Sequence, residues 1–254
     1  MRQLNRIYIS PSILLILIFS ICFQLIDELI VLFSLCLIHE IGHVLMSKIF
    51  KCHLKKFTMS IFGFSAEISD VEYLKFYQQI LIYLAGPLTY FVSFFFLFIF
   101  KENEIINLYQ YQKYMESNLT LALFNLIPLY PLDGGRIIDA IYKKYFPVRE
   151  SILYRKIWSI ISLIPVILIL VKERQIILLI IIVGFSFMNL LATKYEYLSY
   201  LEKRLFMNIK FSKKYSFKNE IFHFYHNYYL HKDEIKEEKE IIPSLIVTEQ
   251  IKKR

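Results

Sequence analysis

A His-Glu-x-x-His pattern, at residues 39–43, is the part of this sequence most suited to chemistry. On an α-helix, residues four apart lie on one face, so His39 and His43 can reach a single ion with Glu40 beside them. Zinc in hydrolases takes three protein ligands and a water, and the metal lowers the pKa of that water towards neutrality. A carboxylate then accepts the proton of the water during attack on a carbonyl. The spacing therefore predicts a hydrolytic zinc centre with Glu40 as general base.

A third zinc ligand must come from elsewhere in the chain, and Asp133 is the strongest candidate. The surrounding run is Asn125-Leu-Ile-Pro128-Leu-Tyr-Pro131-Leu-Asp133-Gly-Gly-Arg136. Its prolines and glycines interrupt an apolar segment, and irregular backbone at membrane depth is tolerated where it lines a protein cavity. At helical spacing, Asp133 can instead pair with Arg136, or Arg136 with Asp139. Arg136 can also orient a ligating Asp133.

The composition indicates an integral membrane protein. Of the 254 residues, 56% are hydrophobic and only 20% are charged, which excludes a disordered chain. The three cysteines give no disulfide framework of the kind found in small secreted domains. The net charge of +8 is spread between apolar segments, and without a concentrated basic face it does not favour nucleic-acid binding.

Six apolar segments are candidates to cross the lipid bilayer, so we predict an all-α polytopic membrane protein with six transmembrane helices. They cover approximately residues 11–26, 28–47, 79–100, 117–142, 157–171 and 175–193. The fourth helix is expected to be broken at Pro128–Gly135. Lys and Arg gather on one side of the spans, which predicts that the N and C termini are cytosolic. Ionisable groups are costly within a span, so chance is a poor explanation for the His-Glu-x-x-His pattern.

Two segments differ from the spans. Residues 51–70 alternate apolar and polar side chains around Gly63, which predicts a small membrane-associated β-hairpin. Residues 197–254 are polar, and we expect a cytosolic basic tail of one or two helices after a transmembrane domain of residues 1–196. The Lys/Glu run at 232–240 is expected to be a solvated helix face. Three tail histidines are expected at the surface rather than in a metal cluster: His223, His226 and His231.

Together these motifs make the sequence resemble the site-2 protease family of intramembrane zinc metalloproteases. The resemblance covers residues 1 to about 195 and includes the Ala-Gly-Pro element at 85–87 and the hairpin. It implies one zinc ion per chain, with Glu40 as the base and three ligands: His39, His43 and Asp133. A helical substrate hides its carbonyls in internal hydrogen bonds, so it must unwind before water can attack.

The resemblance also implies how the unwound substrate is held. Asn125 would bind its backbone through the side-chain amide, and Pro128 and Pro131 would contact it. The 54–68 hairpin would pair with the substrate as an added strand.

Within the family, the sequence most resembles the sporulation branch, because it has six predicted spans and no room for a PDZ insert in the loop 101–116. This branch implies a membrane-associated substrate, pro-sigma-K, and inhibitory membrane partner proteins. The location implied is the outer forespore membrane, with the active site facing the mother-cell cytosol. The sequence departs from the family pattern at residues 61–64, where the family commonly has Pro-Phe-Gly-Gly. A second departure is the tail, which is expected to be too short for a complete CBS domain.

Three alternatives remain at the level of sequence. The first is a site-2 protease acting on another substrate, such as an anti-sigma factor. The second is a non-proteolytic relative, in which loss of Glu40 or of a metal ligand is expected. The third is a transporter, in which two paired broken helices are expected, whereas this sequence shows one.

Overall fold

The computed structural model describes residues 6–60, 63–172, 196–206, 212–216, 220–231 and 234–251. These residues are mostly helical, and the chain divides into two compact units, residues 1–127 and 128–254. The predicted sixth span at 175–193 lies outside the described residues. The six-span count, the orientation of the termini and the domain boundary at residue 196 stay predictions.

The first unit contains four α-helices among its described residues. They are α1 (Ile13–Cys22), α2 (Ile26–Ile49), α3 (Phe76–Glu102) and α4 (Leu108–Leu126). Only α2 and α3, within the described part of the chain, have the length and apolar composition of a membrane span. The first helix is shorter than the predicted segment 11–26, since the chain turns through Gln24 at a φ of 56°. At the start of α4, Asn107 and Gln110 cap one another through reciprocal side chain to backbone hydrogen bonds.

Two polar contacts join α4 to its neighbouring helices in the described part of this unit. Lys113 on α4 donates to Glu28 on α2 at 2.6 Å, and Asn118 on α4 donates to the Tyr90 carbonyl on α3 at 3.1 Å. The outer face of α3 is instead apolar and exposed, with Phe91 65% and Phe95 58% accessible. A wide exposed apolar face requires nonpolar surroundings, which fits a helix that contacts lipid.

A three-stranded sheet completes the first unit. The predicted hairpin is present as β2 (Leu54–Ser60) and β3 (Gly63–Ile68), paired antiparallel. A third strand, β1 (Arg6–Ile9), pairs parallel with β2 and was not expected from the sequence. Gly63 begins β3 with a φ of 92°, and a Cβ at this position would lie 3.3 Å from the Cys36 sulfur on α2. Both the conformation and the close contact favour glycine here.

The chain leaves helical structure between α4 and α5 (Asp133–Tyr145). Pro128 and Pro131 lack the N–H that a helix requires and disfavour helical backbone in the residue before them. The break covers residues 127–132, so Gly134 and Gly135 belong to the first turn of α5, contrary to the predicted break at Pro128–Gly135. A Cβ on Gly135 would lie 2.3 Å from the Tyr130 nitrogen. The absence of a side chain there lets α5 begin directly against the loop.

The second unit continues with a long helix and a mixed C-terminal segment. Its elements after α5 are α6 (Val148–Lys172), α7 (Glu196–Leu205), β4 (Ser212–Ser216), β5 (Tyr225–His231), β6 (Glu234–Glu237) and α8 (Glu238–Ile251). The strands form a sheet in the order β4-β5-β6. The tail was expected to hold one or two helices, and its described residues contain two helices together with three strands that were not expected. Leu201, Ile221 and Ile242 pack with Val148 and Ile152 of α6 in one apolar core.

A buried ion pair lies at the centre of the C-terminal segment. Arg204 and Glu238 are 1% and 4% exposed, and the guanidinium donates to the carboxylate at 3.2 Å. Glu238 also accepts from the Asn227 side chain at 2.7 Å. Burial alone lowers the pKa of Arg204, but the surrounding Tyr200 and Glu238 raise it above its ordinary value, so the group stays cationic.

Two expectations about this segment are therefore wrong. The Lys/Glu run at 232–240 is not a solvated helix face, because its described part begins with β6 and its Glu238 is buried. His223 is not a surface residue either. It is 1% exposed, and its Nδ1 lies 3.1 Å from the Tyr200 hydroxyl. Tertiary burial of the segment, which composition does not reveal, accounts for both differences.

Replacing Arg204 with Leu should destabilise the C-terminal segment by about 3–5 kcal/mol, because Glu238 would remain buried without its guanidinium partner. Pulse proteolysis of the full chain in urea, with an antibody epitope at the C terminus, measures this loss. The exposed neighbour Lys203 provides the matched control Lys203→Leu. Equal urea midpoints for the two variants would show that the buried pair does not stabilise the segment.

Candidate metal centre

Two imidazoles meet on the buried face of α2. His39 and His43 are each 6% exposed, and their Nε2 atoms lie 3.2 Å apart. The Nδ1 of His43 lies 2.7 Å from the Ile82 carbonyl on α3. A carbonyl only accepts hydrogen bonds, so Nδ1 carries the proton and Nε2 of a neutral ring keeps its lone pair for a metal. The main chain of α3 thereby sets both the tautomer and the orientation of His43.

Glycines permit α2 and α3 to approach closely at this point. A Cβ on Gly42 would lie 2.7 Å from the Ala85 carbonyl oxygen, and a Cβ on Gly86 would lie 2.2 Å from Nε2 of His43 and 2.7 Å from Nε2 of His39. Contacts below 3.0 Å at a Cβ are not tolerated without movement. The imidazoles therefore occupy space that any side chain at residue 86 would fill.

Glu40 is held by the hairpin. Its Oε2 accepts a hydrogen bond from the Ala66 backbone N–H of β3 at 2.9 Å. In an edge strand, alternate residues direct their N–H groups away from the paired strand. The Ala66 N–H is one of these groups, and it donates to the Glu40 carboxylate of α2. The contact fixes Glu40 on the same side as the two imidazoles.

The donor set fits zinc. One ligand atom from each of His39, Glu40 and His43 lies within 4.8 Å of the others. Two imidazole nitrogens on a tetrahedral zinc, at Zn–N distances of about 2.0–2.1 Å, lie about 3.3 Å apart. The observed Nε2 separation of 3.2 Å matches that value. The pair therefore needs little rearrangement to share one ion.

The second unit carries a further group of the predicted site residues. Asp133 belongs to the second unit, where it is the first residue of α5 and is 5% exposed. Arg136 is exposed on the same turn. Asp139 pairs with Lys143 at 2.7 Å and with Arg155 at 3.2 Å, so the alternative pairing of Asp139 with Arg136 is not the one observed.

The remaining predicted residues lie near the break between α4 and α5. Asn125 lies in the last turn of α4, and its side-chain amide donates to the Leu121 carbonyl of its own helix at 2.9 Å. The Pro128 carbonyl accepts a hydrogen bond from the Ser162 hydroxyl of α6 at 3.2 Å. Pro131 is half-buried within the loop.

Sequence reasoning missed the groups that hold the imidazoles and Glu40. The Ile82 carbonyl and the Ala66 N–H belong to the backbone, so no residue type marks them. Gly86 had a signal, since it lies in the Ala-Gly-Pro element of α3, but its contact with both imidazoles depends on how α2 and α3 pack.

The chain is similar to known zinc metalloproteases. Residues 100–171 match the family model Peptidase family M50. Stage IV sporulation protein FB of Bacillus subtilis is 24% identical over 146 residues, which cover 58% of this chain and 51% of that protein. A zinc metalloprotease of Methanocaldococcus jannaschii is 34% identical over 125 residues, which cover 48% of this chain and 36% of that protein. The chain spans about half or less of the length of these curated relatives.

A solved structure is also similar. The site-2 protease from Methanocaldococcus jannaschii aligns with a TM-score of 0.53 and 26% identity, over 71% of this chain and 88% of that one. The family model, the second of these relatives and the solved structure are therefore all of proteases.

Replacing Gly86 with Ala should lower the zinc content of the purified protein, because the new methyl group would occupy the position of the two Nε2 atoms. Elemental analysis of detergent-purified protein measures the metal, and thermal melting reports the fold. Leu88→Ala, on the exposed side of α3, is the control. A Gly86→Ala protein with the zinc content of the wild type would show that the imidazoles do not form the metal centre.

Proposed function

We propose that this chain, which carries a site-2 protease (peptidase M50) domain, is an intramembrane zinc endopeptidase. The observation that carries the proposal is the convergence of His39 and His43 beside Glu40, on a helix long and apolar enough to span a membrane. Three ionisable groups in such a helix are costly without a function.

In this proposal, each chain holds one zinc ion through His39, His43 and Asp133, and Arg136 orients the Asp133 carboxylate. Zinc, when bound, polarises a water molecule and the scissile carbonyl. Glu40 is the general base: it accepts the proton of the water and later returns it to the leaving amine. The Ala66 N–H supports this role, since it holds the Glu40 carboxylate through a hydrogen bond to Oε2.

The substrate segment is proposed to enter as an extended strand. A helical segment must unwind to expose a carbonyl, and an open sheet edge satisfies the N–H and C=O groups that unwinding releases. In the sheet order β1-β2-β3, one edge belongs to β3, and its Ala66 contacts the proposed base. This arrangement supports pairing of the substrate with β3, while Asn125, Pro128 and Pro131 are proposed to contact the unwound backbone.

We place the protein in a bacterial cell membrane with six spans, cytosolic termini and a cytosolic tail beginning near residue 197. The distribution of Lys and Arg supports this orientation. Within α2, the metal-binding residues lie in the half nearer Ile49, which is the cytosolic end in this topology. Water and a cytosolic substrate segment would therefore have a short route to the metal.

The substrate we propose is pro-sigma-K, processed at the outer forespore membrane during sporulation. The similarity to a protein named stage IV sporulation protein FB supports it. Inhibitory membrane proteins are the proposed regulators, packing against the spans beside the hairpin.

Replacing Glu40 with Gln should lower peptide cleavage by about 10²–10⁴-fold while zinc binding survives, because Gln removes the base and keeps an oxygen for the Ala66 N–H. Cleavage of a co-expressed substrate and zinc per chain are the two measurements. Glu67→Gln, which changes an exposed carboxylate on β3, is the matched control. Normal cleavage by Glu40→Gln would exclude the proposed mechanism.

Co-expression with pro-sigma-K from the same genome should convert the precursor to a shorter product, and the Glu40→Gln variant should leave it intact. Immunoblotting of the precursor measures the conversion. If the wild type leaves pro-sigma-K uncut and clips an unrelated single-span protein, the sporulation role is wrong and the protease activity stands.

A further inference from the structure

We propose that Arg155 is a positioning residue for the metal centre: it fixes the loop and helix that present Asp133, and Glu196 holds it in place. This inference rests on the proposed function, because it takes Asp133 as a zinc ligand. All of the contacts that carry it lie within the second unit.

A buried polar stripe runs along one face of α6. The stripe consists of four residues that are 0% to 7% exposed: Ser151, Arg155, Ser159 and Ser162. They lie on one face of the helix because they are four, four and three residues apart. Two of these four reach the loop between α4 and α5. Ser162 donates to the Pro128 carbonyl, and the Arg155 guanidinium lies 4.3 Å from the centre of the Tyr130 ring. The stripe therefore holds the loop at two points.

Arg155 contacts the chain on both sides of Asp133. Tyr130 lies three residues before Asp133, and the guanidinium stacks on its ring, a geometry that Arg favours on aromatic faces. Asp139 lies six residues after Asp133, and Arg155 donates to its Oδ1 at 3.2 Å. Because one planar group binds both flanks, a shift of Arg155 moves the start of α5 relative to the loop.

The guanidinium is itself held by a residue far along the chain. Glu196, the first residue of α7, accepts from Nη1 of Arg155 at 2.8 Å and also pairs with Nη2. Lys143 lies 2.7 Å from Asp139, so the cluster has two positive and two negative groups. A buried cluster of this kind is neutral overall, yet the loss of one member leaves a buried charge without its partner.

Metal centres tolerate little displacement of a ligand. Zinc–ligand distances must fall within about 0.2 Å of their preferred values, and changes in the groups that orient ligands cost about 10–100-fold in metal affinity. The side chain of Asp is short, so the backbone at the first position of α5 sets most of the position of the Asp133 carboxylate. The groups that fix the loop and the first turns of α5 are therefore expected to set the zinc affinity.

The test is zinc affinity of the full chain in detergent, measured by competition with a chromophoric chelator. Arg155→Lys keeps the charge but loses the planar fork and the stacking, and should weaken zinc binding about tenfold or more. Glu196→Gln should weaken it in the same direction, and the double variant should bind no more weakly than Arg155→Lys alone, since the two residues act as one unit. Arg149→Gln, at an exposed position on the first turn of α6, should bind as the wild type does.

Thermal melting of the metal-free proteins separates positioning from folding. If Arg155→Lys does not fold, Tyr130→Leu and Tyr130→Phe replace it: Leu removes the stacked ring and should weaken zinc binding, while Phe keeps the ring and should retain it. Asp133→Ala is the reference for the proposed ligand. Loss of zinc in Asp133→Ala with wild-type affinity in Arg155→Lys, or in Tyr130→Leu, overturns the positioning role alone. Wild-type affinity in Asp133→Ala overturns the proposed ligand set itself.

Discussion

The close contact between α2 and α3 at Gly42 and Gly86 is the constraint on which the candidate metal centre depends. Two imidazoles are bulky polar groups, and burying them in an apolar helix pair costs free energy unless their nitrogens are satisfied. The missing side chain at Gly86 makes room for both rings. The same approach brings the Ile82 carbonyl to 2.7 Å from Nδ1 of His43. Space and hydrogen bonding therefore come from one feature of helix packing.

The hairpin belongs to the same arrangement rather than being an appendage. Exposed strand edges are sites of unwanted pairing, and proteins usually cover or twist them. Here the Ala66 N–H at the edge of β3 binds Glu40, and Gly63 lets the start of β3 lie against Cys36, one helical turn before Glu40. Because α2 contacts the hairpin at two points, the position of the strand edge and the orientation of the carboxylate cannot vary independently.

Local patterns predicted the parts of the structure that depend on local physics. The i, i+4 spacing of His39 and His43, the alternation that gives β2 and β3, and the prolines that end α4 each act over a few residues. Partners distant in sequence were not predictable in this way. β1 pairs with a strand about fifty residues later, and the strands of the C-terminal segment form where that segment packs on Val148 and Ile152. No local pattern marks the contacts of Arg155, because Asp139 and Glu196 are not its neighbours in sequence.

The proposed site residues of the two units are held by different physical means, and the difference follows from the backbone that each unit must place. In the first unit the histidines lie within a regular helix, so packing against a second helix is enough to orient them. In the second unit Asp133 follows a loop that has lost its helical hydrogen bonds, and apolar packing alone does not specify the direction of such a loop. Hydrogen bonds and ring contacts do specify a direction, and the planar guanidinium of Arg155 makes them with Tyr130, Asp139 and Glu196. Apolar residues of similar volume can equal the stability of a buried ion cluster. What they lack is the angular preference of hydrogen bonds, and the placement of a carboxylate depends on that preference.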